Sequence, residues 1–397
     1  MKRILMLGGN VLQMTAIKRA KELGYYVISA DYLPDNPGHK YSDEYHNIST
    51  IDKDAILALA EKKCVDGILS YASDISAPTA AYVSEKLGLP TNPYSSVMVL
   101  THKDRFRAFM REQGFPMPEG KMFQEVEEAK AYFDKMRLPV IVKPTDSSGS
   151  KGVVKVTKRE QFEAAYRTAM SYSISKCIIV EQFIEKKGYQ IDGDGFIQDG
   201  KIVFWGVMDQ HNHHACNPHA PIGLSYPSIQ HPAYQEAARE LVQSIFDRLD
   251  MRFGAFNFEY IIGPDGKIYL LEIGPRNGGN YIPDTLLYAS GADLIGASIR
   301  ACVGDAYSEL LRQTQQKCAS SYVVHAAASG TFRGLKLHEE VKDRIIKQAI
   351  FVSEGEKVRA FRNGGDSLGA MVLAFDDAGQ MNTMMDKMWN YVEVLAE

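Results

Sequence analysis

Short apolar runs alternate with helical patterns over roughly the first 95 residues of the chain. The apolar runs predict buried strands at 3–7, 25–30 and 68–70. Strands that alternate with helices in this way are typical of a parallel, doubly wound sheet. The first strand ends at Gly8-Gly9-Asn10, which lacks the G-x-G-x-x-G spacing of a dinucleotide site. The sequence therefore disfavours a nicotinamide-dependent oxidoreductase.

The segment 254–280 carries the clearest local signal. Two runs of alternating apolar and polar residues flank Gly263-Pro264-Asp265-Gly266, a strong turn sequence, and predict a β-hairpin. With Pro264 and Asp265 at the tip, the predicted register pairs Asn257 with Glu272 and places Glu259 diagonal to Glu272. The opposite, apolar face of this hairpin is predicted to hold Phe256, Phe258, Leu271 and Ile273.

Glu259 and Glu272 would repel each other on one face of the hairpin unless a cation lay between them. A hard cation such as Mg²⁺, brought in with the phosphates of a nucleotide, would relieve that repulsion. Arg276 follows four residues after Glu272 and can hold a phosphate or a carboxylate in a bidentate manner. A solvent-facing hairpin with two unrelated acids is the alternative.

Two lysine-bearing segments upstream are candidates for phosphate contacts. Lys103 lies in the first turn of a predicted helix, where a solvated side chain is the simpler interpretation, and Lys143 closes a β-branched strand at 138–144. The loop that follows, residues 146–152, is rich in serine and glycine and can offer N–H groups and hydroxyls to phosphates. It is not a Walker A loop, which requires G-x-x-x-x-G-K-[ST] before a helix.

The turn-rich segment 209–228 contains four histidines, His211, His213, His214 and His219. Cys216 makes zinc binding an alternative here, although no spaced ligand motif supports it. A mobile substrate loop is the favoured interpretation. Candidate substrate residues are Ser73, Asp74, His211, His213 and Arg276.

Composition narrows the functional classes. The 397 residues are 45% hydrophobic and 24% charged, as in ordinary globular proteins, and the net charge of −4 argues against a general nucleic-acid binder. No stretch approaches the roughly 18 apolar residues of a membrane span. Five scattered cysteines without C-x-x-C spacing predict reduced thiols in the cytoplasm.

The order of these features resembles the ATP-grasp superfamily, and within it the carboxylate–amine ligase branch with a biotin carboxylase-like three-domain layout. The motifs that carry the resemblance appear in family order along nearly the whole chain, as THKDRFR, LPVIVKP, DSSGSKGV, IVEQFIE, FNFEY and LLEIGPRNGG. The implied fold is α/β and α+β. The predicted domains are a Rossmann-like parallel-sheet domain at 1–95, a two-lobed ATP-grasp domain at 96–304 and a small α+β domain at 305–397. Within them, helices are predicted over 284–303 and 380–394.

The resemblance also implies roles for individual residues. Lys103 and Lys143 match lysines that contact ATP phosphates, and Glu181 matches the acceptor of the adenine amino group. Arg276 matches the arginine that steadies the transferred phosphate, so that Arg276 and Lys143 are the implied catalytic residues. The remaining implied nucleotide contacts are the phosphate loop Ser148, Gly149, Ser150, Lys151 and Gly152 and the adenine linker Gln182, Phe183, Ile184 and Glu185.

The implied metal ligands are Glu259 and Glu272, with ATP and Mg²⁺ (or Mn²⁺) as cofactors. The chain departs from the family pattern at Gly274, where an asparagine often completes the metal shell; Asn277, Asn257 or a water would substitute. A second departure is at Gly188, where many members carry a ribose-binding glutamate, and Glu185 is the possible replacement.

The reaction implied by the resemblance joins a carboxylate to an amine through an acyl phosphate and releases ADP and phosphate. Alternatives are a carboxylase or purine-pathway type of ATP-grasp enzyme, or a catalytically silent ATP-binding regulatory protein. The expected partners are small-molecule substrates, without nucleic acid or membrane, in a possible homodimer located in the cytoplasm.

Overall fold

The computed structural model describes residues 1–147 and 149–397. Its N-terminal part is the predicted parallel sheet, with strand order β3-β2-β1-β4. Alternate residues of the first strand enter two separate apolar cores, one on each face, because helices cover both faces of a parallel sheet. The elements are β1 (Arg3–Leu7), α1 (Met14–Glu22), β2 (Tyr26–Ala30), β3 (Glu44–His46), α2 (Lys53–Lys63), β4 (Gly67–Leu69) and α3 (Ala77–Leu87), with a 3₁₀ helix at Pro37–Tyr41.

Two helices, α4 (Tyr94–Thr101) and α5 (Lys103–Glu112), lead from this sheet to a small antiparallel lobe. Four strands in the order β5-β8-β6-β7 form the lobe, and two helices pack on one apolar core with them. The elements are β5 (Gly120–Phe123), α6 (Val126–Phe133), β6 (Val140–Pro144), β7 (Val154–Val156), a 3₁₀ helix at Arg159–Gln161, α7 (Phe162–Tyr172) and β8 (Ile178–Gln182).

An eight-stranded sheet forms the centre of the molecule, in the order β13-β12-β9-β10-β11-β14-β18-β16. The strands are β9 (Gln190–Gln198), β10 (Lys201–Asn212), β11 (Pro221–Tyr226), β12 (Gly254–Ile262), β13 (Ile268–Gly274), β14 (Cys318–Val324), β16 (Ile345–Ile350) and β18 (Gly369–Phe375). Helix α8 (Pro232–Arg248) packs its buried residues on the apolar face of β12 and β13. The predicted mixed α/β and α+β fold class is confirmed.

Strands β12 and β13 form the predicted hairpin, but the predicted register is wrong. Tyr260 pairs with Leu270, which is already one residue away from the predicted register, and a bulge between Glu259 and Tyr260 shifts the pairs beyond it by one more. Glu259 therefore lies directly opposite Glu272, not diagonal to it, and Asn257 pairs with Gly274. A bulge adds one residue to one strand and shifts every later pair. Alternation of apolar and polar residues does not show where such an insertion lies.

The bulge also changes one face of the hairpin. Phe256, Phe258 and Ile273 are fully buried in the predicted core, but the fourth residue there is Leu270. Leu271, predicted for that core, is the residue of β13 without a pairing partner and lines the cavity on the other side of the sheet. Because the apolar residues face the core, Glu259 and Glu272 point to the cavity on the opposite face of the hairpin.

The single helix predicted over 284–303 is instead two helices, α9 (Ile282–Ser290) and α10 (Leu294–Cys302). Gly291 adopts a left-handed conformation with φ of +84°, which ends α9 at low cost because glycine has no Cβ. The Asp293 side chain then accepts a hydrogen bond from Gly296 N and caps α10. Helix α10 packs on the N-terminal sheet through Ile295 and Ile299.

The C-terminal part adds a three-stranded sheet in the order β17-β15-β19. Its elements are β15 (Gly330–Leu337), α11 (Glu339–Lys342), β17 (Lys357–Val358), α12 (Ala378–Met385) and β19 (Val392–Ala396), with 3₁₀ helices at Ser308–Leu311, Gly364–Asp366 and Met388–Asn390. The closing helix predicted over 380–394 is wrong at its end, because residues 392–396 pair with β15 as a strand. The domain boundaries stay predictions; β14, β16 and β18 lie in the central sheet although they follow the predicted boundary at 305.

No helix in the part of the chain that the structure describes has the length and apolar character needed to cross a membrane. The five cysteines Cys64, Cys177, Cys216, Cys302 and Cys318 carry free thiols.

Candidate nucleotide and metal site

A cavity of about 420 Å³ lies between the small lobe and the polar face of the central sheet. This volume is in the range of small-molecule binding sites, which run from about 300 to 1,000 Å³. Its lining brings together residues that were predicted to contact the nucleotide, the metal or the substrate. They are Asp74, Lys103, Lys143, Gly149, Ser150, Glu181, Gln182, Phe183, Ile184, Glu259, Glu272 and Arg276.

The other predicted residues are placed differently. Ser148 lies outside the described residues. Within the part of the chain that the structure describes, the cavity lining leaves out Ser73, Lys151, Gly152, Glu185, His211, His213 and Asn277. Among the lining residues that the sequence did not assign to the nucleotide are Lys155, Lys186, Gln190, His214 and His219.

Three carboxylates form one row across the floor of the site, which we call the carboxylate row. Glu259 on β12 pairs with Asp192 on β9 at one side and with Glu272 on β13 at the other. Residues opposite each other in a sheet share a face and lie about 4.5–5.5 Å apart at Cβ, so these acids are neighbours. Asp194 lies two residues further along β9 and is fully buried. Neither aspartate was predicted as a site residue, although the alternation in Gln190-Ile-Asp192-Gly-Asp194 marks a polar strand face.

The carboxylate row brings together more negative charge than the nearby side chains offset. Burial, together with Asp192 and Glu272, raises the pKa of Glu259 to about 8. Burial and the neighbouring Asp194 raise the pKa of Asp192 to about 7, and burial raises that of Asp194 to about 6. Such shifts mean that the charged forms lack compensation. Adjacent carboxylate oxygens with unoffset charge are the ligands that Mg²⁺ prefers, so these residues fit the metal.

Two cations border the carboxylate row. The ammonium of Lys103 is 3.0 Å from the Glu272 carboxylate and donates to Ser147 O at 2.8 Å. Burial disfavours its charged form, but Glu272, Asp74 and Glu259 outweigh this effect and raise the pKa of Lys103. Lys103 is therefore a charged group within the site, not the solvated surface lysine that its sequence context alone suggested.

The second cation, Arg276, forms a bidentate ion pair with Asp74. Its Nε is 2.7 Å from Asp74 Oδ1 and its Nη2 is 2.5 Å from Oδ2. Asp74 follows β4 of the N-terminal sheet, so that sheet holds the arginine over the cavity. Among the predicted substrate residues, Asp74 and Arg276 are the pair that the structure brings together.

The Asp74–Arg276 pair also explains the departure at Gly274. A Cβ at Gly274 would lie 2.7 Å from Asp74 Oδ1 and 3.1 Å from Arg276 Cζ, closer than side chains tolerate. An asparagine there would displace the ion pair. Asn277 is turned away, since its Oδ1 accepts from Ser298 on α10, whereas Asn257 donates to both Asp192 and Asp194 on the polar face.

A second group of buried charges lies under the small lobe, and we call it the Glu181 cluster. The Glu181 carboxylate contacts the Lys143 ammonium through one oxygen and Arg107 Nε, at 3.3 Å, through the other. Burial alone would raise the pKa of Glu181, but Lys143 and Arg107 outweigh it and hold that pKa below its ordinary value. Arg107, which was not predicted as a site residue, lies within the THKDRFR motif. The adenine contact of Glu181 stays a prediction.

The phosphate loop is held against other parts of the chain. Ser150 Oγ donates to His219 O at 2.9 Å, and Gly364 N donates to Gly149 O at 3.1 Å. Gly149 and Gly152 have φ values of +66° and +75°, a conformation that favours glycine. Burial, with Lys155 and Lys186, lowers the pKa of His219 to about 4, so this ring is neutral near pH 7.

The two histidines predicted for the substrate pocket make buried contacts elsewhere. His211 Nδ1 is 2.7 Å from Asp386 Oδ1, and its Nε2 is 2.8 Å from Ser225 Oγ. His213 Nδ1 is 2.9 Å from His325 Nε2. In their segment, His214 and His219 are the histidines that line the cavity.

Comparison with known proteins agrees with this geometry. Residues 136–284 match the family model of the ATP-grasp domain. The predicted resemblance to the ATP-grasp superfamily is confirmed, as are the predictions of an ATP-grasp enzyme and of ATP and Mg²⁺ as its cofactors.

Among its curated relatives is the formate-dependent phosphoribosylglycinamide formyltransferase of Methanocaldococcus jannaschii. The two are 25% identical over 285 residues, which cover 69% of each protein. A crystal structure of an L-amino acid ligase from Bacillus licheniformis has a TM-score of 0.84 at 18% identity, over 100% of this chain and 99% of that one.

A third similar protein is the biotin carboxylase domain of the Hydrogenobacter thermophilus 2-oxoglutarate carboxylase, solved with MgADP and bicarbonate. Its TM-score is 0.75 at 17% identity, over 100% of this chain and 91% of that one. At these identities the two structural likenesses show the fold.

Proposed function

We propose that the protein is a ligase that uses ATP and Mg²⁺ to join a carboxylate to an amine through an acyl phosphate, releasing ADP and phosphate. The observation that carries the proposal is the carboxylate row, which Lys103 and Arg276 border in a cavity between two lobes. A surface with three adjacent acids and two cations suits a site where a metal and phosphates meet.

The residues that would hold each group follow from their positions. Glu259 and Glu272 would hold Mg²⁺, with Asp192 beside them in the carboxylate row. Lys103 and Lys143 would contact phosphates, together with the backbone at Gly149 and Ser150. Bound Mg²⁺ supplies charge neutralisation on the phosphate oxygens. The linker Gln182, Phe183 and Ile184 would hold the base at the lobe interface.

Phosphoryl transfer requires positioning and electrostatic stabilisation more than covalent help from the protein. In the proposed first step, an oxygen of the substrate carboxylate bonds to the γ-phosphorus while the bond to the bridging oxygen of ADP breaks. Arg276, fixed by Asp74, would orient the carboxylate and stabilise the charge that develops on the phosphoryl oxygens. The nitrogen of the amine then bonds to the acyl carbon, phosphate leaves, and the amine releases a proton to water.

The loop at residues 149–152 would protect the acyl phosphate from water. It lines the cavity at Gly149 and Ser150 and is tethered through His219 and Gly364. A preorganised site that excludes water strengthens every charge interaction inside it.

The names of the relatives support ATP-dependent ligation and leave the acceptor open. The formyltransferase relative depends on formate, and one structural neighbour ligates L-amino acids. We therefore propose for this chain the use of ATP to activate a carboxylate, which the match of residues 136–284 to the ATP-grasp domain supports. A cytoplasmic location is proposed with it, on the ground of the five free thiols.

The test is phosphate release from ATP, screened over amino acids and small carboxylates with amine partners. We expect release that needs both substrates, and a hydroxamate product when hydroxylamine replaces the amine, because hydroxylamine traps acyl phosphates. Glu272→Gln should lose this activity, whereas Glu393→Gln on the exposed strand β19 serves as the matched control. Release stimulated by formate or bicarbonate alone would favour the carboxylase or purine-pathway alternative. ATP binding without release in any combination would leave a silent ATP-binding protein.

A further inference from the structure

A compact group of nitrogen and sulfur ligands lies outside the nucleotide cavity. His213 and Cys216 follow strand β10, and His325 follows strand β14 more than a hundred residues later. The distance from His213 Nδ1 to His325 Nε2 is 2.9 Å, and that from Cys216 Sγ to His213 Nδ1 is 3.2 Å. All three ligand atoms lie within 4.8 Å of one another.

The orientation of each ring is fixed by its surroundings. His325 Nδ1 lies 2.8 Å from Val323 O, an acceptor, so that nitrogen carries the proton and Nε2 keeps its lone pair. A ring that donates its second nitrogen to a backbone carbonyl is the usual arrangement of a metal-binding histidine. His213 stacks on Trp389 with ring centroids 3.9 Å apart and planes at 5°. Both histidines are buried, with 7% and 5% of their surface exposed.

A further buried group beside these ligands has no partner. The Tyr322 ring centroid is 5.9 Å from that of His325, and the side chain is fully buried. Its hydroxyl makes no hydrogen bond to any residue that the structure describes. A buried hydroxyl without a partner is costly unless a further ligand or water reaches it.

We propose that His213, Cys216 and His325 form a zinc site, with water as the fourth ligand. Zinc binds histidine nitrogen at about 2.0–2.1 Å and thiolate sulfur at about 2.3 Å in tetrahedral geometry. These bond lengths separate neighbouring ligand atoms by about 3.3–3.6 Å. The observed 2.9 and 3.2 Å are a few tenths shorter, so small side-chain rotations would admit the ion. Binding would convert the Cys216 thiol to a thiolate and release one proton.

The sequence disfavoured zinc in this segment because the spacing offered only His213 and Cys216 as a local pair. The third ligand, His325, comes from β14, which lies two strands away from β10 in the central sheet. The zinc would thus tie the segment 213–219 to the C-terminal part of the chain. That segment also carries His219, whose carbonyl accepts the hydrogen bond from Ser150 in the phosphate loop.

The experiment uses the full-length protein, reduced and freed of metal with EDTA, and titrates Zn²⁺ against a chromophoric chelator. We expect one equivalent to bind tightly, and Co²⁺ to give a thiolate-to-cobalt charge-transfer band. Cys216→Ser and His325→Ala should each weaken Zn²⁺ binding by more than about 100-fold, since loss of an outer-shell partner alone costs about 10–100-fold. Cys318→Ser and His338→Ala, which keep all three ligands, should bind as the wild type does.

A second measurement needs no variant and is independent of the ligase activity. Zn²⁺ should slow alkylation of Cys216 in the wild-type protein, read by peptide mass spectrometry, and leave Cys64 alkylation unchanged. Zinc binding that survives Cys216→Ser, or equal alkylation of Cys216 with and without Zn²⁺, would overturn the proposal. The three side chains would then form a hydrogen-bonded group only.

Discussion

The carboxylate row and the Glu181 cluster border the same cavity but have opposite charge balances. In the Glu181 cluster, one carboxylate is held by two cations, Lys143 and Arg107. In the carboxylate row, Asp192, Glu259 and Glu272 adjoin one another, and their nearby cations have other partners as well. In the first group the protein itself supplies the cations that hold the carboxylate, whereas the second group suits an added cation. This difference separates the side of the cavity proposed for the nucleotide from the side proposed for the metal.

The largest effect is expected from Glu272→Gln in the carboxylate row. It removes one proposed metal ligand while leaving the shape of the floor, so Mg²⁺-dependent ATP turnover should fall by about 100-fold or more. Thermal unfolding without Mg²⁺ should change little, because the variant also removes a repulsive charge. Turnover at the wild-type rate would refute the metal assignment.

Arg107→Met tests the opposite behaviour in the Glu181 cluster. The variant removes one of the two cations from a buried carboxylate that keeps Lys143, and a hydrogen bond to a charged group is worth about 1.5–3 kcal/mol. We expect a loss of this size in the free energy of unfolding, measured by urea denaturation with and without Mg²⁺. The exposed pair between Lys336 and Glu393 provides the control, since Lys336→Met should cost about 1 kcal/mol or less.

The pH dependence of stability should report the raised pKa values in and beside the carboxylate row. The folded-state pKa values of Asp194, Asp192 and Glu259, about 6, 7 and 8, lie above the ordinary carboxyl values. The folded state therefore binds more protons than the unfolded state between about pH 4 and 8, and stability without Mg²⁺ should fall as pH rises through that window. Unfolding temperatures measured from pH 5 to 8 check this slope.

Mg²⁺ should reverse this slope, because it binds the deprotonated carboxylates more strongly as pH rises. Glu259→Gln should flatten the Mg²⁺-free profile, since it removes the group with the highest pKa in the carboxylate row. A wild-type profile that is flat without Mg²⁺ would show that the carboxylate row is not short of positive charge.

The smallest effect is expected from Gly274→Ala, which adds one methyl group beside the Asp74–Arg276 pair. The new Cβ would lie 2.7 Å from Asp74 Oδ1, so the carboxylate must shift. We expect a several-fold loss in kcat/KM, equivalent to about 1 kcal/mol by the relation of rate to free energy. Gly279→Ala is the matched control, because its Cβ would meet Leu12 at an ordinary 3.5 Å. Equal activity of the two variants would show that catalysis does not depend on the Asp74–Arg276 pair.

Much of the fold was predictable because local patterns set it. The hairpin at β12 and β13 follows from its turn sequence, and the parallel sheet from its alternating elements. The predicted register was wrong because it assumed strict alternation, which the unpaired Leu271 breaks: Leu270 and Ile273, three residues apart, face the same core. The break at Gly291 was missed because the apolar pattern continues through both helices.

The site was predictable where one motif holds several of its residues. Glu259, Glu272 and Arg276 lie close together in sequence, and Lys103 and Lys143 each close a recognisable segment. Asp192 and His325 were missed because their partners come from distant strands, and only the sheet order places them together. The sequence showed that Gly274 departs from the family pattern. It did not show the reason, which is the contact with Asp74, two hundred residues earlier in the chain.

The continuity of the central sheet bears on how this protein can be divided or recombined. Strand β14 pairs with β11 on one side and β18 on the other. A cut at the predicted boundary at 305 would strip β11 of its neighbour and expose an open sheet edge, which promotes aggregation. Chimaeras that exchange C-terminal segments between related proteins must therefore preserve the pairing of β11 with β14. For the same reason, we expect the smallest fragment that folds alone to include both strands.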